Sequence, residues 1–126
     1  NYFGGIVSFR KDDFQKINGF PNSFWGWGGE DDALRERCRI NNFSIEKVRD
    51  GKIYDMETDS DGLQMDLKHK LEFLKKNPEW KCEDEWEQRH LDRLSWKSNG
   101  LKQIGSLYRV NIWETADCLT RIQVNV

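Results

Sequence analysis

Proline and histidine are scarce in this chain, two of each in 126 residues, and cysteine reaches three. The histidines, His69 and His90, fall among charged residues on segments expected to be helical, which makes them surface residues rather than metal ligands. Cys38, Cys82 and Cys118 are far apart and form no CxxC spacing, which speaks against a zinc site and against a complete disulfide framework. At most one pair can form, so cysteine usage leaves the compartment open. No apolar run approaches the roughly 20 residues of a membrane span, and the N-terminal residues lack the charged-then-apolar pattern of a signal peptide. Neither sign of charge dominates: 20 basic and 22 acidic residues leave a net charge of −2, with no footprint for a nucleic acid or an anionic membrane. Internal repeats and low-complexity linkers are absent as well.

Aromatic residues, by contrast, are abundant. They make up 13% of the chain and include six tryptophans, within a composition that is globular at 37% hydrophobic and 33% charged. The length suits one domain, 1–126. The chain starts at Asn1 rather than Met and opens on a strand-like run, so it is expected to be a piece of a longer protein. Its most specific segment is Phe24-Trp25-Gly26-Trp27-Gly28-Gly29-Glu30-Asp31-Asp32. Glycines allow a ligand close to the main chain, and the tryptophans supply flat apolar walls. The three carboxylates fall where the pattern turns helical, at the helix end that stabilises anions. Together they suggest a carbohydrate or nucleotide-sugar pocket with a carboxylate base.

The periodicity predicts a strand over Phe3–Phe9, a helix over Arg10–Asn18, a loop over Phe20–Gly29 and a helix over Glu30–Ile40. In that last helix Ala33, Leu34, Cys38 and Ile40 face inward, while Arg35, Glu36, Arg37 and Arg39 coat the outside. Two short strands, Phe43–Val48 and Lys52–Met56, are expected around the turn-favouring Asp50-Gly51. Leu63, Leu67, Leu71 and Leu74 mark a helix ending before Pro78. Another helix is expected over Glu83–Trp96 with Trp86, Leu91 and Leu94 turned inward, and a closing antiparallel pair over Leu107–Ile112 and Leu119–Val126.

Three ordered blocks carry a resemblance: Tyr2-Phe3-Gly4-Gly5; Phe14 with Ile17-Asn18-Gly19-Phe20-Pro21-Asn22; and Phe24 to Asp32. Their order and spacing resemble the β1,4-galactosyltransferase family, inverting enzymes that move galactose from UDP-galactose to a terminal sugar. A weaker likeness to the family's C-terminal strands lies in Asn99-Gly100-Leu101 and Ser106 to Val110, and the stretch from about Ser60 to Trp96 has no alignable counterpart. The resemblance implies an α/β (α+β mix) architecture, the C-terminal, acceptor-side portion of a GT-A-like nucleotide-diphospho-sugar transferase fold with a short mixed sheet and flanking helices. It implies Asp31 as general base and Glu30 as acceptor ligand, with Asp32 in support. Tyr2, Gly4 and Gly5 would lie against the donor, Tyr2 favouring galactose. Trp27 would be a lid, with Trp25, Gly28 and Gly29 beside the sugars. The expected partners are a UDP-sugar donor, a glycan acceptor and an upstream nucleotide-binding half. A eukaryotic member would reside in the Golgi lumen, any other in the cytoplasm.

The family uses Mn²⁺ held in part by a Met and a His after the acidic motif. Met56 falls at the first position, but Asp59 occupies the second, a departure that still offers a hard oxygen ligand. Two other readings stand beside the enzyme: a carbohydrate-binding or interaction domain derived from a glycosyltransferase, and a related GT-A enzyme using UDP-GalNAc, UDP-GlcA or UDP-Xyl.

Overall fold

The computed structural model of the chain describes residues 3–47, 49–52, 54, 56, 58, 62–107, 109–116 and 119–125. Among them run helices α1 (Lys11–Lys16), α2 (Glu30–Ile40), α3 (Leu67–Lys76), α4 (Glu85–Ser95) and α5 (Ile104–Leu107), then strands β1 (Arg109–Ala116) and β2 (Leu119–Asn125). Short 3₁₀ turns at Pro78–Trp80, Trp96–Ser98 and Leu101–Gln103 join the later helices.

Both N-terminal helices stop in the same way. After α1, Asn18 takes a left-handed φ of 61° and its N–H bonds Gln15 O, while Gly19 N–H reaches back to Phe14 O at 2.9 Å. After α2, Asn42 (φ 58°) and Phe43 repeat the pattern onto Arg39 O and Cys38 O. This double bond satisfies carbonyls that the helix end leaves unpaired, and asparagine tolerates the left-handed position better than most residues. Helix α3 begins at Leu67 rather than near Leu63 because Asp66 caps it, its carboxylate accepting from His69 N–H at 2.9 Å.

Ile17, Leu34 and Cys38 form the centre of the core, with Phe3, Val7, Phe9, Phe14 and Phe43 packed around them. Phe9, Phe14 and Phe20 meet at tilted and edge-on angles, centroids 5.5 and 6.2 Å apart. Burial raises the pKa of the Cys38 thiol, and both Cys38 and Cys82 are free. The block Ile17 to Asn22 is locked onto the Trp96–Gln103 region. Asn18 Nδ2 donates to Trp96 O and Gln103 Oε1, and Asn18 Oδ1 accepts from Lys102 N–H. Asn22 donates to Asn99 Oδ1 and to Gly100 O.

Arg37 is the largest fully buried side chain, at 1% exposure, so its expected place on the outer coat of α2 is corrected. It shares the inward stripe with Ala33, Leu34 and Cys38. Its guanidinium pairs with both carboxylate oxygens of Asp92 on α4 and donates to Asn18 O, Gly19 O and Asn99 O. Five donors meet five acceptors, which is what makes a buried guanidinium tolerable.

Helix α4 shows a second correction. Trp86, Leu91 and Leu94 face outward at 82%, 46% and 74% exposure, and Asp92 is buried at 2%. The inward stripe is polar because its anchor is the Arg37–Asp92 pair rather than an apolar contact. On α3 only Leu74 is buried, and Leu63, Leu67 and Leu71 lie exposed.

Among the described residues the expected strand over Phe3–Phe9 has no ladder partner, nor have those of Phe43–Val48 and Lys52–Met56. β-branched and aromatic composition favours a pleated surface, but a strand exists only where another segment pairs with it. Phe3, Val7 and Phe9 bury against the core without that pairing. The closing pair does form: β1 and β2 run antiparallel from Arg109 opposite Asn125 to Ala116 opposite Leu119, with a one-residue shift between Ile112 and Glu114.

Candidate active site

Gly29 stands at the entrance of α2 with φ 92°, and its carbonyl accepts the first helical bond from Ala33 N–H at 2.9 Å. No larger residue fits there. A methyl group on Gly29 would come within 2.6 Å of the Phe24 ring and 2.7 Å of Glu85 Cγ. The turn so made places Glu30, Asp31 and Asp32 in the first turn of α2, where unpaired peptide N–H groups and the helix dipole offset their mutual repulsion.

Each carboxylate then has its own surroundings. Asp31 sits on the main chain of Gly4 so closely that a methyl group there would lie 2.0 Å from Oδ2, and Gly5 N–H donates to it. Burial raises the Asp31 pKa above its ordinary value, and the charges of Glu30 and Asp32 push in the same direction against the Gly5 bond. Glu30 Oε2 is buried, and among the described residues no donor reaches it. Asp32 faces α4, where Arg89 Nη1 lies 3.3 Å away. A buried oxygen without a donor beside a carboxyl of raised pKa is an arrangement suited to accepting a proton from a ligand hydroxyl.

The aromatic part of the motif is open. Trp25 is 64% and Trp27 52% exposed. The main chain of Trp27 is tied down: its N–H donates to Trp80 O at 2.7 Å, and its carbonyl accepts from Cys82 N–H at 3.1 Å. Gly28 and Gly29 lie against Glu85, so residues 80–85 form the floor beneath the motif loop. Tyr2 lies outside the described residues.

A cleft of about 610 Å³ opens on the α4 side of α2. Glu30 and Asp31 are not part of it, whereas Asp32 lines its edge. Glu36 and Arg39 form one wall, Trp86, Arg89 and Arg93 the other, with Phe43 among the lining residues. Apart from Asp32, the side chains of this cleft and the Arg37–Asp92 pair are not among the site residues expected from the sequence. For Arg37 a signal existed, since it lies four residues after Ala33 and three after Leu34, on the apolar stripe itself.

Among the described residues no three His, Cys, Asp or Glu side chains gather in a group that could hold a metal ion, and Met56 is 86% exposed. Asp59 lies outside the described residues.

Residues 1–59 match the family model described as the N-terminal domain of galactosyltransferase. This stretch is galactosyltransferase-like. Beta-1,4-galactosyltransferase 4 of Mus musculus is 48% identical over 48 residues, which cover 38% of this chain and 14% of that relative. Beta-1,4-galactosyltransferase 5 of Homo sapiens is 50% identical over 46 residues, covering 36% of this chain and 12% of the relative. Beta-1,4-galactosyltransferase 6 of Rattus norvegicus is 50% identical over 44 residues, 35% of this chain and 12% of the relative. The aligned part therefore spans about one seventh of the length of these relatives or less. The galactosyltransferase-like stretch holds Gly4, Gly5 and the whole Phe24 to Asp32 segment, while Asp92 and Trp86 lie beyond it.

Proposed function

We propose that this chain carries the acceptor wall and the catalytic base of an inverting galactosyltransferase built on a GT-A-like fold. Asp31 takes the proton from an acceptor sugar hydroxyl as that oxygen attacks the anomeric carbon of UDP-galactose. The new C–O bond forms opposite the breaking bond to phosphate, UDP leaves with that electron pair, and the configuration inverts. Glu30 holds the acceptor, Asp32 supports it from the α4 side, and the rings of Trp25 and Trp27 offer apolar faces to the sugars. Among the described residues no parallel βαβ unit is present to cradle a nucleotide, so the proposal assigns them the acceptor and the proton.

The observation that carries this reading is the seat of Asp31: a carboxyl with a raised pKa, beside a second carboxylate whose oxygen lacks a donor, pressed against Gly4-Gly5. A base whose pKa lies nearer the working pH accepts a proton in the transition state more effectively than an ordinary aspartate. The test is Asp31→Asn in the complete protein. Transfer from UDP-galactose should fall by roughly 10² to 10⁴ with circular dichroism unchanged, and undiminished transfer would dismiss Asp31 as the base.

The open rings of Trp25 and Trp27 also suit a carbohydrate-binding domain without catalysis. Glycan binding indifferent to UDP-sugar and to Mn²⁺, with no turnover, would select that reading.

A further inference from the structure

We infer that Trp27 is a fixed wall of the acceptor site in this chain, and that Trp80 and Cys82, which lie beyond the galactosyltransferase-like stretch, are the positioning residues that fix it. The resemblance implies a lid at Trp27, a loop that swings over the sugars. Here the loop is strapped down by the segment 80–85. Trp27 N–H donates to Trp80 O at 2.7 Å and Trp27 O accepts from Cys82 N–H at 3.1 Å, so that Trp27 and Lys81 form a parallel bridge. Both main-chain polar groups of Trp27 are therefore taken up by a segment far away in the chain.

A loop swings about the backbone angles of a few residues. On either side of Trp27 those residues are Gly26 and Gly28, at φ 89° and 116°. Gly26 is pressed against the strap: a methyl group there would lie 2.8 Å from the carbonyl of Lys81 and 2.9 Å from Cys82 N. Gly28 faces Glu85, and Gly29 after it is shut in between the Phe24 ring and Glu85 Cγ. The strap is anchored at both of its own ends. Trp80 N–H donates to Asn77 O at 3.1 Å just past α3, and the Trp80 ring meets Phe73 of α3 edge-on, centroids 6.0 Å apart. At the other end the strap runs into α4 at Glu85, and α4 is tied to α2 through the buried Arg37–Asp92 pair. Swinging Trp27 away would break two main-chain bonds and pull Gly26 off the strap. A wall already in place does not wait for the donor. A lid that donor binding closes couples the two ligands, typically by roughly 5- to 150-fold in affinity. With Trp27 fixed, that coupling is absent and its half-exposed ring stands ready for the acceptor.

Treating the ring as an acceptor wall rests on the galactosyltransferase reading; the strap does not. The deciding measurement is hydrogen exchange of the complete protein with and without UDP-galactose. The N–H groups of Trp27 and Cys82 should exchange at least about tenfold more slowly than in the unfolded chain. Exchange of either at the unfolded rate, or its acceleration by UDP-galactose, overturns the inference. Cys82→Pro removes the N–H that holds Trp27 O, and Lys81, at φ −84° and ψ 150°, already has the backbone that suits a residue before proline. Cys82→Ala keeps that N–H. The proline variant should speed Trp27 exchange at least about tenfold and the alanine variant should not. With methyl glucoside and methyl N-acetylglucosaminide as acceptors, Cys82→Pro should raise the acceptor KM about tenfold and leave kcat and the KM for UDP-galactose within about twofold. A loss confined to kcat, or equal behaviour of the two variants, overturns the inference. Should the proline variant fail to fold, Trp80→Ala, which frees the strap from Phe73, carries the same expectations. A protein that transfers no galactose refutes the enzyme reading, and exchange then decides the strap alone. Intact transfer with an unprotected Trp27 N–H refutes only this proposal.

Discussion

The two ends of α2 use charged residues in opposite ways. Toward its C-terminal half, Arg37 is buried and every direction of its guanidinium ends on an acceptor, from Asp92 and from three backbone carbonyls. At its first turn, Glu30 has a buried oxygen with no donor among the described residues and Asp31 holds its proton more tightly than an ordinary aspartate. The polar groups near Arg37 are spent on holding α1, α2, α4 and the Asn99 turn together. At the first turn, Glu30 Oε2 is left without such a partner among the described residues. One helix thus joins a fully paired anchor at Arg37 to a first turn that buries a carboxylate oxygen without a donor among the described residues.

The comparison breaks most severely if the anchor is cut. Asp92→Ala should destabilise the protein by about 3–5 kcal/mol, because the Arg37 charge would be buried without its partner. Chemical denaturation measures this, and a loss below 1 kcal/mol would show that the pair is not the anchor described. Replacing both partners, Arg37→Met with Asp92→Leu, should recover much of that loss.

Asp31→Asn should act on the other end, with transfer reduced by about 10² to 10⁴ while the fold is kept. The sign of its stability effect follows from the raised pKa. Asp31 binds its proton more tightly folded than unfolded, so the fold loses stability as pH rises from the unfolded carboxylate range through the folded pKa. Above that window the Asn variant should melt no lower than the parent, and a clear fall in Tm at neutral pH would contradict the picture of a carboxylate disfavoured by burial. In the parent, transfer should fall as pH drops through the same raised pKa, since the base must be ionised.

Gly4→Ala tests the seat of Asp31. The new methyl would meet the carboxylate, so stability should fall by about 1–3 kcal/mol, and transfer should fall with it. A neutral effect on both would mean that Asp31 does not rest there. The smallest change is expected from Trp86→Ala, whose ring is mostly in water: stability within about 0.5 kcal/mol of the parent, read by the same denaturation.

The residues forecast α1 to α4 and the closing hairpin, while the short helix α5 was not foreseen. Glu30–Ile40 was legible to its ends because both its start and its stop are written locally, Gly29 and three carboxylates before, asparagines after. The Phe3–Phe9 strand failed since pairing depends on a neighbour that local composition does not specify. The candidate base was legible from the motif, but its seat on Gly4-Gly5 joins residues far apart in the chain. Asp92 was invisible for the same reason: its partner Arg37 lies 55 positions away. Trp86, read as inward on apolar spacing, turned out because the polar stripe of α4 docks on Arg37.

Local order therefore came from short-range physics, namely helix periodicity, caps and the glycine-rich turn, all of which act over a few residues. The identity of the buried charge, the separate surroundings of Glu30, Asp31 and Asp32, and the cleft beside them came from contacts between distant segments. A side chain's ionisation and solvation depend on what surrounds it in space, and only folding brings those neighbours together.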